Sequence, residues 1–252
     1  MASLQRFFQW IMDSPPLLEC KQPVSDLTQF ASSQSLPNDH QYQGNPRLGF
    51  VYQHLCQTLF KNSPHYVIAH DEIQINVDGR TLGAIDFILE DKRNAQLEHW
   101  EVAIKFYLLH EDTWYGPNAH DQLDKKFDRM LSHQLKMSSS EAFRAQYPDL
   151  DIQSQHLLMQ GRLYTNPFLE QKVPTHCLGY KINSTQVNGY WCYQNQAHLI
   201  EEALYPLTKN QWASGTEDFE QSPITEFGDR FVHGQTRSGQ FWFVMPERWP
   251  HG

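Results

Sequence analysis

The sequence predicts a mixed α/β (α+β) fold built around a central sheet. Three observations carry that expectation. Residues 82–89 (LGAIDFIL) and 100–108 (WEVAIKFYL) are nearly continuous apolar runs, the pattern of buried strands. The DKRNAQ between them supplies the charged and Asn-type residues of a turn, so the two runs pair most simply as an antiparallel hairpin. Residues 48–60 (LGFVYQHLCQTLF) repeat apolar side chains at helical intervals and lead into the sheet.

In chain order, Leu4, Phe7, Phe8, Trp10 and Ile11 recur at helical spacing, and Ser14-Pro15-Pro16 stops that helix. Its aromatics read as packing residues. From 34 to 46 the composition turns to Ser, Asn, Gln, Gly and Pro, a loop and a boundary. Residues 66–69 and 73–77 read as one strand interrupted near His70, Asp71 and Glu72; Asp78-Gly79 is a tight turn into the next strand, giving a three-stranded meander. His110, Glu111 and Asp112 read as a solvated loop ahead of Gly116-Pro117-Asn118.

A helix is predicted over 120–136, with Leu123, Phe127, Met130 and Leu131 on its apolar stripe and Asp121, Lys125 and Arg129 on another face. A Ser-rich break, a short helix ended at Pro148 and a strand at 157–165 follow. Residues 176–193 mix strand-like pieces with Gly179 and Gly189, 197–205 reads as helical, and a hairpin is expected around Arg237-Ser238-Gly239. Trp212, Trp242 and Trp249 read as a small aromatic core, with a binding face as the alternative. The chain divides into an N-terminal helix and loop (1–45), a core (46–165) and a C-terminal α+β extension packed on that core (166–252).

The composition of the 252 residues, 40% hydrophobic and 19% charged, is that of a soluble globular protein. Twenty Lys and Arg against 29 Asp and Glu leave a net charge of -9, which argues against binding nucleic acid by bulk electrostatics and leaves room for a local basic groove. The four cysteines form no C-x-x-C pair, so reduced thiols in a cytoplasmic protein are expected. MASLQRFFQW has no apolar leader core and no run of 18 apolar residues exists, so neither export nor a membrane partner is expected. Phosphate-loop, dinucleotide-binding and nucleophile-elbow motifs are absent, and no dinucleotide cofactor is expected.

Chemistry concentrates in the hairpin. Asp86, Glu101 and Lys105 are ionisable groups inside apolar strands, where charge is costly unless paired or bound to metal. Period-two alternation puts Glu101, Ala103 and Lys105 on one face and Trp100, Val102, Ile104 and Phe106 on the other. A buried Asp86–Lys105 salt bridge is the competing structural account.

An Asp after a G-x-I-D turn, followed one hairpin later by an acid and a Lys on an apolar strand, resembles the core of the PD-(D/E)XK, restriction-endonuclease-like nucleases. LGAIDFIL, HWEVAIKFYL, WYGPN and HQL, with DSPPLL, RLGFVYQHL and WFVMPERWP, more closely resemble a bacterial family, domain of unknown function family 1853.

The superfamily resemblance implies a restriction-endonuclease-like core: a mixed sheet with a β-meander, flanked by helices. It implies Mg²⁺ held by Asp86 and Glu101, Lys105 as the catalytic cation, and Gln134 near the active site. His133 and Lys125 on the same helix are candidates for phosphate contact, and a solvated helix with internal ion pairs is the alternative for all three residues. The implied activity is hydrolysis of phosphodiesters in DNA or RNA. Two positions depart from the pattern. The acid two residues before the Lys is replaced by Ala103, and the acid often found on the preceding helix by Gln53. The alternative reading is therefore a catalytically degenerate member that binds nucleic acid or protein, and whether the chain is an enzyme stays open at this point. A zinc hydrolase, suggested by 13 histidines, ranks last because H-E-x-x-H is missing and His110-Glu111-Asp112 is the nearest pattern.

Overall fold

The computed structural model describes residues 2–30, 35–37 and 40–251. The loop expected over 34–46 lies outside the described residues at Gln34, Asn38 and Asp39; its described remainder forms neither helix nor strand. Helix α1 (Ala2–Asp13) buries Phe7, Phe8 and Ile11 and ends at the prolines that cannot continue it. Helix α2 (Leu48–Lys61) buries Val51, Tyr52, Leu55, Cys56, Leu59 and Phe60, a one-face stripe. Burying each such large apolar side chain is worth about 1.5–3 kcal/mol relative to leaving it exposed, which is what holds the helix on the sheet.

The meander follows: β1 (Tyr66–Val77), β2 (Arg80–Asp91) and β3 (Gln96–His110), antiparallel throughout. Asp78 and Gly79 make the first turn with φ of 49° and 75°, the left-handed pair that a two-residue hairpin requires. β1 is continuous through His70–Glu72; the expected interruption is absorbed as a register shift between Ile68 and His70. β4 (Thr113–Tyr115) folds back on the end of β3.

Helix α3 (Leu123–Arg129) passes into a π-helical turn at Met130–Gln134, so the single helix expected over 120–136 is shorter and wider at its end. Helix α4 (Glu141–Gln146) is capped by Ser140, whose hydroxyl accepts the Phe143 N–H. β5 (Ile152–Thr165) then pairs parallel to β3 from Leu97 to Leu108. β3 is thus a central strand, and its near-continuous apolar sequence is what burial on both faces demands.

Strands β6 (His176–Cys177) and β7 (Tyr180–Lys181) form a small separate hairpin. β8 (Val187–Tyr193), β9 (Tyr205–Pro206), β10 (Val232–Gln235) and β11 (Phe241–Met245) extend the main sheet to the order β1-β2-β3-β5-β8-β11-β10-β9, with β4 on β3. The helix expected over 197–205 is instead a 3₁₀ turn, Gln194–Leu199, followed by β9; pairing of Tyr205 and Pro206 with β10 outweighs local propensity. The hairpin around Arg237-Ser238-Gly239 joins β10 to β11. Residues 166–252, expected to pack on the core as an extension, continue its sheet.

One face of the sheet carries Trp100, Val102, Ile104, Phe106 and Leu108 against α1 and α2. The other carries Ala103, Tyr107 and Leu109 against Leu123, Phe127, Met130 and Leu135 of α3 and the turn after it. Trp242 and Trp249 are buried and Trp212 is half-buried, all three in aromatic packing. Among the described residues no helix is long and apolar enough to cross a membrane.

Candidate active site

The β2–β3 ladder runs from Asp91/Gln96 only as far as Phe87/Trp100, although both strands continue. Asp86 and Glu101 stand at the next position. There the side chains take over from the ladder: the Val102 N–H donates to Asp86 Oδ2 at 3.0 Å, and the Asp86 N–H donates to Glu101 Oε1 at 3.3 Å. Alternation in β2 also breaks here, since Ile85 and Ile88 pack with Met137 and Phe143 whereas Phe87 and Leu89 pack with Phe60 and Trp100. The backbone turns at Asp86, and its carboxylate enters the opening between strands. Asp86 is half-buried, and Oδ1 has no hydrogen-bond partner among the described residues.

Glu101 is only 1% exposed and is held on several sides. Its Oε1 is 2.9 Å from His99 Nε2, and its Oε2 accepts from Gln134 Nε2 at 3.4 Å. Gln134 also donates to Ala84 O at 3.3 Å, so one amide from the π-helical turn spans both strands where their ladder has stopped. Extra backbone width at a π turn is a recurrent way of aiming a side chain at a site. His99, fully buried, meets Ser138 Oγ at 2.8 Å through Nδ1, completing a chain Ser138–His99–Glu101.

Burial pushes the Asp86 carboxyl well above the usual carboxylate range, and the charge of Glu101 pushes it further. Burial likewise raises Glu101, against the Gln134 and Asp86 hydrogen bonds. Two carboxyl groups this close in a desolvated gap resist carrying two charges, so near neutral pH the pair retains a proton. Burial lowers His99 to about 4, leaving a neutral ring that donates from one nitrogen and accepts at the other. The missing ingredient is positive charge.

Cations come from two elements. Lys105 projects from the Glu101 face of β3, but its ammonium is engaged by Asp121 Oδ2 at 2.5 Å; the competing Asp86–Lys105 pair is not formed. Lys126 of α3, half-buried, has its pKa lowered by burial and by Lys105, while Asp121, Glu101 and Asp86 pull it upward. It lies within the electrostatic reach of both carboxylates. Its neighbour Lys125 is exposed and forms no ion pair among the described residues. His133 is half-buried and makes no side-chain hydrogen bond there. Gln53 of α2 spends its amide on Glu72 Oε1 at 3.4 Å.

Of the residues predicted from sequence, the structure therefore joins Asp86, Glu101 and Gln134, keeps Lys105 nearby in a pair with Asp121, and leaves Lys125 and His133 outside the hydrogen-bonded group. Sequence reading missed Lys126, His99 and Ser138. Lys126 lies one residue from the cation chosen, and helix phase alone could have found it, because Leu123, Phe127 and Met130 mark the inward side.

Among the described residues no group of three or more His, Cys, Asp or Glu side chains is arranged to hold a metal ion. Two carboxylates are oxygen donors of the kind Mg²⁺ takes while keeping most of its water, and a cation between them would relieve the Asp86–Glu101 repulsion. Such a pair is chemically suited to Mg²⁺ and does not make a closed zinc cage.

A nine-stranded mixed sheet with a carboxylate pair at a ladder break defines the chain as an α/β protein with a polar site between two strands. More particularly, residues 6–226 match the family described as Domain of unknown function (DUF1853), and the chain belongs to that family. No curated protein and no solved structure matches it significantly.

Proposed function

We propose that the protein is a metal-dependent phosphodiesterase of the PD-(D/E)XK type, acting on nucleic acid. The observation that carries this reading is the convergence of Asp86 and Glu101 at the end of the β2–β3 ladder, with Gln134 on Glu101 and Lys126 in the field of both. Glu101 takes the acid's place in the pattern. Ala103 then stands where a lysine would follow two residues later, and the cations come from Lys105 further along β3 and from Lys126 of α3.

Asp86 and Glu101 would hold Mg²⁺, whose chemistry there is to bind a scissile phosphate oxygen and to acidify a water molecule. The chain's own residues do the rest. His99 and Gln134 fix the Glu101 carboxylate, the Val102 N–H fixes that of Asp86, and Lys126 and Lys105 offset charge that develops on phosphate oxygens. The proton that Asp86 and Glu101 share would have to leave before they held a cation, so loading should improve as pH rises.

Glu101 being 1% exposed favours a second reading, a nuclease-fold module that binds nucleic acid without turnover. One experiment separates them. Purified protein is incubated with Mg²⁺ or Mn²⁺ and single-stranded, duplex and branched DNA or RNA, beside D86N and E101Q. Cleavage by the wild type alone supports the hydrolase. Binding without cleavage in all three proteins overturns it in favour of the module.

A further inference from the structure

A cleft lies at the opposite end of β3 from the carboxylate pair's hairpin turn. β3, β5, β8 and β11 run parallel, and beyond the carboxyl end of β11 there is a cleft of about 540 Å³. Its wall is completed by residues 117–119 after β4, by the 3₁₀ turn at Lys209–Gln211 and by the segment entering β10. The carboxyl edge of parallel strands is where open α/β sheets ordinarily receive ligands, and the volume falls in the range of about 300–1,000 Å³ typical of small-molecule sites.

The lining is what specifies the ligand. Trp212, Phe231 and Trp249 supply aromatic surface, and Lys209, Arg230 and Arg248 supply three cations against one acid, Asp229. In a chain with net charge -9 this is a local inversion of sign. None of the three cations forms an ion pair among the described residues, and Lys209 rests its ammonium over the Trp212 ring, 4.5 Å from the centroid. Trp249 is 7% exposed, and its indole N–H, buried with it, has no hydrogen-bond partner. Arginines with free guanidinium forks bind phosphate in bidentate fashion, while indole and phenyl surfaces accept the π-face of any base.

We infer that this cleft binds a nucleoside monophosphate, either free or as the end of a single strand, with phosphate on Arg230, Arg248 and Lys209 and the base against Trp212 and Phe231. Drawing Lys209 toward phosphate uncovers the Trp212 ring for the base. The inference needs neither metal nor cleavage, so it can hold or fail independently of the hydrolase reading.

The test is a fluorescence and calorimetric titration, without divalent metal, using AMP, adenosine, inorganic phosphate and a 5′-phosphorylated tetranucleotide. The expected result is saturable, salt-sensitive binding of AMP at least tenfold tighter than adenosine or phosphate, with tryptophan emission changing in step. R230E/R248E, both at exposed positions, should weaken AMP at least tenfold while circular dichroism is unchanged; W212L should weaken AMP and leave phosphate binding unaltered. A tetranucleotide that binds tighter than AMP assigns the strand end, and equal affinity assigns the free nucleotide. No saturable AMP binding, equal binding of AMP and inorganic phosphate, or full affinity in R230E/R248E would overturn the inference.

Discussion

Asp86 and Glu101 substitute for the backbone hydrogen bonds that their own strands stop making: Glu101 takes the N–H of Asp86, and Asp86 takes the N–H next after Glu101. The ladder is interrupted, yet both amide groups stay satisfied. An opening between two central strands is thereby held by the groups that would do the chemistry. Its cost is two carboxyls in a desolvated gap, and several predictions rest on that cost.

Removing one charge should stabilise the metal-free protein. Asp86→Asn keeps the acceptor for the Val102 N–H and ends the repulsion, so Tm should rise by about 2–4 °C for each kcal/mol recovered. The same substitution should abolish the rise in Tm that Mg²⁺ is expected to give the wild type. A lower Tm for the variant in metal-free buffer at pH 8 would contradict the account.

The pH dependence follows from the raised carboxyls. A folded-state pKa above the unfolded value means that the native state holds a proton which the unfolded chain releases. Stability from this pair is therefore full below about pH 4 and is lost progressively as pH rises towards about 8. His99 acts oppositely: held neutral down to about 4, it costs stability as pH falls below about 6.5, where the unfolded chain takes up a proton. Melting curves from pH 4 to 9 should show Mg²⁺ stabilising most at the alkaline end, and His99→Gln should flatten the acid limb.

Lys126 and Lys105 should separate from structural roles. The Lys105–Asp121 pair is partly exposed, so Lys105→Ala should change stability by less than about 1 kcal/mol. Lys126→Met removes a half-buried cation near two acids and should not unfold the protein. If the hydrolase reading holds, each lowers kcat by about 10²–10³, the scale of losing one electrostatic stabiliser. Cleavage rates with either variant equal to wild type would remove that lysine from the site.

Gly161 holds the position of Lys105 by close approach. A Cβ built there would lie 1.6 Å from the Lys105 carbonyl oxygen, at φ +151°. Gly161→Ala must push β5 from β3 along its central pairing, and a loss of more than about 4 kcal/mol, read by chemical denaturation, is expected.

The sequence by itself determined the meander, the helices that cover it and the odd placement of Asp86, Glu101 and Lys105, because periodicity and turn chemistry act between near neighbours. Its errors fell where tertiary pairing competes with local preference: the edge strand at Tyr205–Pro206 replaced a helix, and a π turn replaced the end of another. Only the fold decided that the β2–β3 ladder stops at Phe87/Trp100, that Gln134 reaches Glu101 across 33 residues and that Asp121 claims Lys105. Those outcomes depend on strand register and helix rotation, and both are set by packing among residues far apart in the chain.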